Sequence, residues 1–266
     1  NLFKGIGRFM IQKENLPYLD FRKILIEWLN IADVVICSST KIKRIVEKWN
    51  NNVIVSLDYM QNEIKIAKSD YQINGKMKLV WEGQSVVLEH LSYFKEVFRQ
   101  VNSFCELHII TDEKYPSYGN LITREVNHIL SQLPINTIFH KWEIYKNYEK
   151  LIQCDCGIIP LNKENKMAWH KPANKLISFW FAGLPTLVSD TPAYVEIMEN
   201  AGSDFYCTNI DDWISKIRKV YAMTSDDRKI MSIKNLDFVS DNFSNEALDN
   251  VWFEVFKKIT LESLQY

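Results

Sequence analysis

The sequence predicts an α/β protein built around a parallel sheet. Short apolar runs alternate with amphipathic stretches of about 10–15 residues, as they do in βαβ units. The runs are hydrophobic at consecutive positions, which is typical of strands buried between two helix layers. The end of the chain differs, because residues 211–264 have helical periodicity throughout and predict a helical tail.

The first quarter of the chain predicts two strands separated by a helix. ADVVICSS (32–39) and NNVIVSLD (51–58) are the apolar runs, and TKIKRIVEKW (40–49) between them has helical period. A polar stretch over 61–77 follows and is the best candidate for a linker. The first dozen residues look like mid-protein sequence, so we expect an N-terminal part to be missing.

Strands and helices alternate from there to residue 207. The predicted strands are KLVWEG (78–83), ELHIIT (106–111), NTIFHKW (136–142), DCGIIPL (155–161), LPTLVSD (184–190) and DFYC (204–207). The predicted helices cover residues near 88–101, 120–132 and 144–153, a segment with Pro172 in its first turn, and a segment that opens at Ser189-Asp190-Thr191-Pro192.

Composition excludes several classes of protein. The net charge of −1 supplies no global attraction to nucleic acid or to an anionic membrane. The five cysteines are odd in number and lie mostly in apolar runs, which predicts reduced thiols and a cytoplasmic protein. Cys154-Asp-Cys156 lacks zinc-site spacing, so no metal is expected. Neither a signal peptide nor a membrane-spanning apolar run is recognised.

The run HKPANKLISFWFAGLPTLVSD (170–190) is the first candidate site. Its apolar residues recur at helical spacing and predict a buried stripe, whereas Lys171, Asn174, Lys175 and Ser178 share the other face. Gly183 then predicts a left-handed helix end. Because this helix begins at the rim where parallel strands end, its N–H groups and the two lysines suit a diphosphate. The alternative is that these residues only cap and solvate the helix.

The loop after KLVWEG is the second candidate site. Gly83 permits a tight turn there, and Gln84 and Ser85 offer amide and hydroxyl donors to phosphate oxygens. An ordinary strand-to-helix turn explains the same residues. Glu82 suits a contact with an acceptor molecule, or simply a position at the rim of the sheet. Trp142 suits packing in the core, or packing against a nucleoside base.

The order and spacing of three segments resemble the donor-binding domain of GT-B glycosyltransferases, in particular the family-four group (glycosyl transferases group 1). The segments are DCGIIPL, KPANKLISFWFAGLPTLVSDTPAYVEIM and AGSDFYCTNIDDWISKIRKV. The resemblance implies two Rossmann-like domains, of which residues 1–65 end the acceptor domain, 66–240 form the donor domain and 241–266 form a helix that crosses back. It also implies that the start of the N-terminal domain is absent.

The resemblance implies transfer of a sugar from a nucleotide-diphosphate sugar to a glycan or lipid-linked acceptor. Such enzymes need no bound metal or further cofactor, and family four retains anomeric configuration. Polysaccharide or glycoconjugate assembly would be the setting, with no nucleic-acid partner. Peripheral membrane association of the full-length protein stays open.

The resemblance places the donor beside Gly83, Gln84, His170, Lys171, Asn174, Lys175, Ser178 and Glu196. His170 and Ser178 stand where the family keeps two glutamates, and Gln84 stands where it keeps an arginine. No catalytic residue is therefore assigned. A non-catalytic nucleotide-sugar-binding or scaffold subunit is the alternative, and a sugar-nucleotide epimerase is a third hypothesis.

Overall fold

The computed structural model describes residues 21–59, 66–117, 122–143 and 146–263. The chain divides into two compact units, one that comprises residues up to Ser56 together with those from Val251 onward, and one that comprises Leu57–Asn250. In the described residues no helix is both long and apolar enough to cross a membrane.

The smaller unit contains a two-stranded parallel sheet. Strand β1 (Val35–Cys37) pairs with β2 (Val53–Val55), and the helices are α1 (Phe21–Ile31) and α2 (Thr40–Val46). Ser39 caps α2, because its side chain accepts a hydrogen bond from the N–H of Ile42. The buried apolar residues that cluster in this unit are Leu29, Cys37, Val46 and Val53. The predicted strand–helix–strand order is present here.

The larger unit is built on a six-stranded parallel sheet. Its strands are β3 (Met77–Glu82), β4 (Cys105–Thr111), β7 (Thr137–Lys141), β8 (Cys156–Ile159), β9 (Thr186–Ser189) and β10 (Tyr206–Cys207). Their spatial order is β10-β9-β8-β3-β4-β7, and every pair in it is parallel. The central strands β8 and β9 are buried at every position, as the consecutive apolar residues predict. The predicted α/β class is confirmed.

Helices cover this sheet. They are α3 (Glu89–Ser92), α4 (Lys95–Val101), α5 (Asn127–Leu130), α6 (Asn147–Leu151), α7 (Lys166–Trp169), α8 (Asn174–Phe181), α9 (Pro192–Asn200), α10 (Ile210–Ala222) and α11 (Ser225–Phe243). Helix α12 (Asn245–Ser263) follows in the chain and belongs to the smaller unit from Val251 onward. The ring of Trp213 on α10 packs edge-on against Phe94, with 4.7 Å between centroids. The ring of Trp180 on α8 packs against Phe238 on α11 in the same way. Together α10, α11 and α12 form the helical tail that the sequence predicts.

One predicted helix is wrong in its first half. Residues 122–125 form strand β6 (Ile122–Glu125), which pairs antiparallel with β5 (Lys114–Ser117), and only the short α5 follows. The physical reason is local, since Ile122 and Thr123 are β-branched and favour a strand. A Gly-Asn dipeptide between the two runs is a hairpin signal that the helical period masked.

The helix that carries the candidate lysines begins later than predicted. Pro172 precedes α8, whose first residue is Asn174 and whose N-terminal flanking residue is Ala173. Lys171 therefore lies before the helix and not on its face. The predicted end is confirmed, because Gly183 adopts a φ of 70° in the left-handed region.

Candidate functional site

A cavity near the sheet lies at the carboxyl ends of its strands. Its volume is about 730 Å³, and its walls come from the ends of β3, β4 and β7 and from the start of α8. The lining residues are Glu82, Gly83, Gln84, Ser85, Val86, Val87, Asp112, Lys114, Trp142, Lys171 and Lys175. In a parallel α/β sheet this is the edge at which ligands bind. We call it the strand-end cavity.

Two lysines give the strand-end cavity its positive charge beside α8. The Lys175 ammonium forms an ion pair with the carboxylate of Glu82, the last residue of β3. Lys171 forms no ion pair within the described ranges, although it is half-buried. Burial, and then the charge of Lys175, lower the pKa of Lys171 below its ordinary value. A bound anion would relieve this repulsion, so the pair of lysines suits an anionic ligand.

The start of α8, where Lys175 lines the strand-end cavity, has free N–H groups. No side chain caps this helix, whereas α10 is capped by Asn209 and α11 by the reciprocal bonds of Thr224 and Asp227. An uncapped helix start leaves donors and a partial positive charge that an anion satisfies. Helix α9 also lacks a side-chain cap, but Asp190 before it pairs with Lys163, and neither residue lines the cavity.

A smaller cavity of about 260 Å³ adjoins the first and shares Glu82, Trp142 and Lys175 with it. On its walls the hydroxyls of Tyr148 and Ser178 are hydrogen-bonded at 2.8 Å. The amide nitrogen of Asn174 donates to Asp58, while its Oδ1 is buried without a hydrogen-bond partner in the described structure. An unpaired buried acceptor is costly, so a ligand hydroxyl that donates to Asn174 would be favoured.

The loop after β3 contains a glycine that close packing requires. Gly83 does not have a positive φ, but a Cβ there would lie 2.8 Å from the Trp81 ring. The Ser85 hydroxyl donates to the Lys114 carbonyl, and the Ser85 N–H donates to Asp112. The expectation that the Ser85 hydroxyl faces a ligand is therefore not supported, since the hairpin after β4 already uses it.

Trp142 lies at the boundary between the two cavities. Its side chain is 41% exposed, which is more than a core tryptophan shows. Its backbone N–H donates to the Thr111 carbonyl and fixes the turn after β7. The core alternative for Trp142 is wrong, and the exposed ring offers a flat apolar face to a planar ligand.

The structure brings six of the eight candidate residues to these two cavities. Gly83, Gln84, Lys171 and Lys175 line the strand-end cavity, and Asn174 and Ser178 line the smaller one; His170 and Glu196 line neither. Sequence reasoning missed Asp112, Lys114 and Tyr148. The first two lie at or just before β5, in a stretch between a predicted strand and a predicted helix to which no element was assigned, and no local signal marks Tyr148.

Another groove, of about 550 Å³, lies between the loop after α9 and helices α10 and α11. It is mainly apolar and more open than the strand-end cavity, and it lies away from the carboxyl ends of the strands. We therefore place the candidate site at the strand ends, where the charged groups converge. Among the residues that the structure describes, no group of three His, Cys, Asp or Glu side chains could hold a metal ion.

No protein-family model matches this sequence. A search of curated proteins finds no match either. Solved structures do match. A variant of S. aureus TarM, in complex with fondaparinux, alpha-GlcNAc-glycerol and UDP, is similar with a TM-score of 0.62 and 12% identity over 88% of this chain. Sucrose-phosphate synthase from Thermosynechococcus elongatus is similar with a TM-score of 0.66 and 9% identity over 96%.

A glycosyltransferase from Rickettsia africae is also similar, with a TM-score of 0.64 and 13% identity over 88% of this chain. The chain spans 46% of the TarM chain and 66% of each of the other two. At these identities the likeness establishes the fold and nothing finer. The chain has the α/β fold of GT-B glycosyltransferases, with a Rossmann-like parallel sheet in its larger unit.

Proposed function

We propose that this chain is the donor-binding part of a glycosyltransferase. The reaction would transfer a sugar from a nucleotide-diphosphate sugar to a glycan or lipid-linked acceptor, in polysaccharide or glycoconjugate assembly. The observation that carries the proposal is the convergence of Lys171, Lys175 and the uncapped start of α8 on one cavity at the strand ends.

The chemistry of such a transfer fits these groups. Cleavage of the glycosyl–phosphate bond leaves the nucleoside diphosphate with additional negative charge. Two ammonium groups and a helix start, fixed before the reaction, would stabilise that charge without a metal ion. Trp142 supplies a face on which a nucleobase can stack. We assign no anomeric outcome and no catalytic base.

Two similar structures have names that agree with this proposal. The TarM structure contains UDP, and an E. coli trehalose-6-phosphate structure, similar with a TM-score of 0.61 and 10% identity, is bound with UDP-2-fluoro glucose. The five free, buried cysteines agree with the proposed cytoplasmic location.

A thermal-shift panel of UDP, GDP, ADP and CDP with matching nucleotide sugars tests the proposal. A ligand at 100 times its Kd stabilises the folded protein by about 2.7 kcal/mol, which raises the Tm by several degrees at this size. We expect one nucleoside diphosphate and its sugar to give that shift. The proposal fails if no nucleotide in the panel shifts the Tm.

A second candidate function is a nucleotide-sugar-binding or scaffold subunit without catalysis. The observation in its favour is that Ser178, which stands where the family keeps a glutamate, lines the smaller cavity with a hydroxyl that is bonded to that of Tyr148. Transfer assays on the full-length protein distinguish the two functions. Binding of the sugar nucleotide with no transfer to any acceptor would favour the scaffold.

A further inference from the structure

Glu82 occupies a distinctive place among the residues of the candidate site. It ends β3, its side chain is only 21% exposed, and it lines both the strand-end cavity and the smaller one. Its carboxylate contacts the Lys175 ammonium, 93 residues further along the chain. A carboxylate therefore lies where the positive charge of the site is concentrated.

The other charged groups of the strand-end cavity are held differently. Asp112 accepts a hydrogen bond from the Ser85 N–H at 3.3 Å, and Lys114 pairs with Glu125 at 3.7 Å. Neither contact involves the lysines beside α8. Glu82 is thus the carboxylate that neutralises a cation of the proposed diphosphate site directly.

A diphosphate that binds Lys175 must share that ammonium with Glu82 or displace the carboxylate. Where the ammonium is shared, the Glu82 carboxylate and a phosphate of the donor both contact Lys175, so the carboxylate would lie close to the sugar that the diphosphate carries. Sugar hydroxyl or amino groups beside it can donate to the carboxylate. A second carboxylate there would meet a like charge, which lowers affinity.

We infer that Glu82 is a specificity residue, which favours donors whose sugar presents hydroxyl or amino groups and disfavours donors whose sugar is a uronate. This inference rests on the proposed function, because it assumes that the diphosphate binds at Lys171 and Lys175. The selection operates by repulsion of the wrong ligand as well as by attraction of the right one.

Calorimetric titration of wild type and Glu82→Gln tests the inference. The ligands are UDP, UDP-glucose and UDP-glucuronate or, where the nucleotide panel selects guanosine, GDP, GDP-mannose and GDP-mannuronate. The glutamine keeps the size of the side chain and its acceptor oxygen but removes the charge. Within each set, the nucleotide is constant and only the group beside Glu82 differs.

For wild type we expect the hexose donor to bind about fivefold or more tightly than the uronate. Glu82→Gln should shrink that ratio to near unity and should tighten the free nucleoside diphosphate, since Lys175 is released. Asp112→Asn, which removes a carboxylate of the same cavity without contact to Lys175, should change the ratio much less. Glu96→Gln, on the exposed surface of α4, should leave all affinities unchanged.

Three outcomes would overturn the inference alone. They are an unchanged hexose-to-uronate ratio in Glu82→Gln, an equal change in Asp112→Asn, and a wild type that prefers the uronate. If wild type binds no nucleotide at all, the proposed function fails and the inference fails with it. Circular dichroism and Tm measurements of each variant verify that it is folded.

Discussion

Two lysine–carboxylate pairs lie at opposite ends of the same sheet, and they differ in what surrounds them. Lys68 and Asp155 lie 3.9 Å apart at the amino ends of the strands, with side chains only 6% and 8% exposed. Lys175 and Glu82 lie at the carboxyl ends and are 30% and 21% exposed. The first pair is enclosed by protein, and the second opens onto a cavity.

Each member of the enclosed pair also has a backbone hydrogen-bond partner. Asp155 accepts from the Lys78 N–H at 2.8 Å, and the Lys68 ammonium donates to the Ile152 carbonyl at 3.2 Å. Burial is the main reason that the pKa of Lys68 is lowered and that of Asp155 is raised. A lysine–carboxylate pair that no ligand can reach therefore contributes to stability, whereas a pair of the same kind that opens onto a cavity is available for binding.

The largest effect is expected from breaking the enclosed pair. Lys68→Met leaves Asp155 buried without its cation, and this should lower the free energy of unfolding by about 3–5 kcal/mol. Urea denaturation followed by circular dichroism measures it. Arg99→Met, which breaks an exposed pair with Glu96, should leave it nearly unchanged.

The double variant Lys68→Met/Asp155→Asn sharpens this result. Asparagine keeps an acceptor for the Lys78 N–H and removes the uncompensated charge, so part of the lost stability should return. A Lys68→Met protein as stable as wild type would show that the enclosed pair contributes nothing.

Breaking the open pair should lower the affinity for the ligand strongly and the free energy of unfolding only slightly. Lys175→Ala should weaken binding of the nucleoside diphosphate by about 1.5–3 kcal/mol, roughly 10- to 150-fold, because a charge-assisted contact is lost. Its free energy of unfolding should change by less than about 1 kcal/mol, since the pair is partly solvated. Calorimetric titration and urea denaturation measure the two quantities on the same preparation. Unchanged affinity would reduce Lys175 to a solvated group at a helix start.

The sheet could be predicted from the sequence because each strand is a local apolar run. Burial between helix layers requires hydrophobic residues at consecutive positions, and that pattern is visible in DCGIIPL without any knowledge of neighbours. The hairpin of β5 and β6 could not be predicted, since β6 lies in a segment that was predicted as helix and the four residues of β5 matched no predicted element. Its loss concealed Asp112 and Lys114, which line the site.

The position of the lysines of the candidate site beside a helix start could be predicted from the sequence, whereas the ion pair of Lys175 could not. Lys171 and Lys175 precede or begin a helix that follows a buried strand, so their place at the strand ends follows from topology. The contact of Lys175 with Glu82 joins residues 93 positions apart. Local sequence contains no information on such a contact, nor on the contact of Tyr148 with Ser178.

The pH dependence of binding should distinguish Lys171 from a permanently charged group. Because the pKa of Lys171 is lowered, its cation is present at neutral pH and is lost as pH rises, before an ordinary lysine would deprotonate. Affinity for the nucleoside diphosphate should therefore fall by up to about tenfold as pH rises from 7 toward 10.

Lys171→Arg is the matched control for that titration. Arginine stays protonated over this range, so the fall should be smaller in the variant. The ligand titrates identically in both proteins, and the difference between the two curves reports Lys171 itself. Superimposable curves would exclude Lys171 from the anion contact.

The smallest effect is expected from removing the neutral hydrogen bond between two side chains that line the smaller cavity. Tyr148→Phe removes the hydroxyl bonded to Ser178 at 2.8 Å, and the free energy of unfolding should fall by about 0.5–1.5 kcal/mol. Ser178→Ala should have an effect of the same size, and the double variant should cost less than the sum, because both remove one bond. Additive costs in urea denaturation would mean that the hydroxyls act independently. If the two hydroxyls instead hold a hydroxyl of the ligand, both single variants should weaken binding of the nucleotide sugar more than binding of the free nucleoside diphosphate. The Lys68 and Asp155 variants should not show this difference between the two ligands.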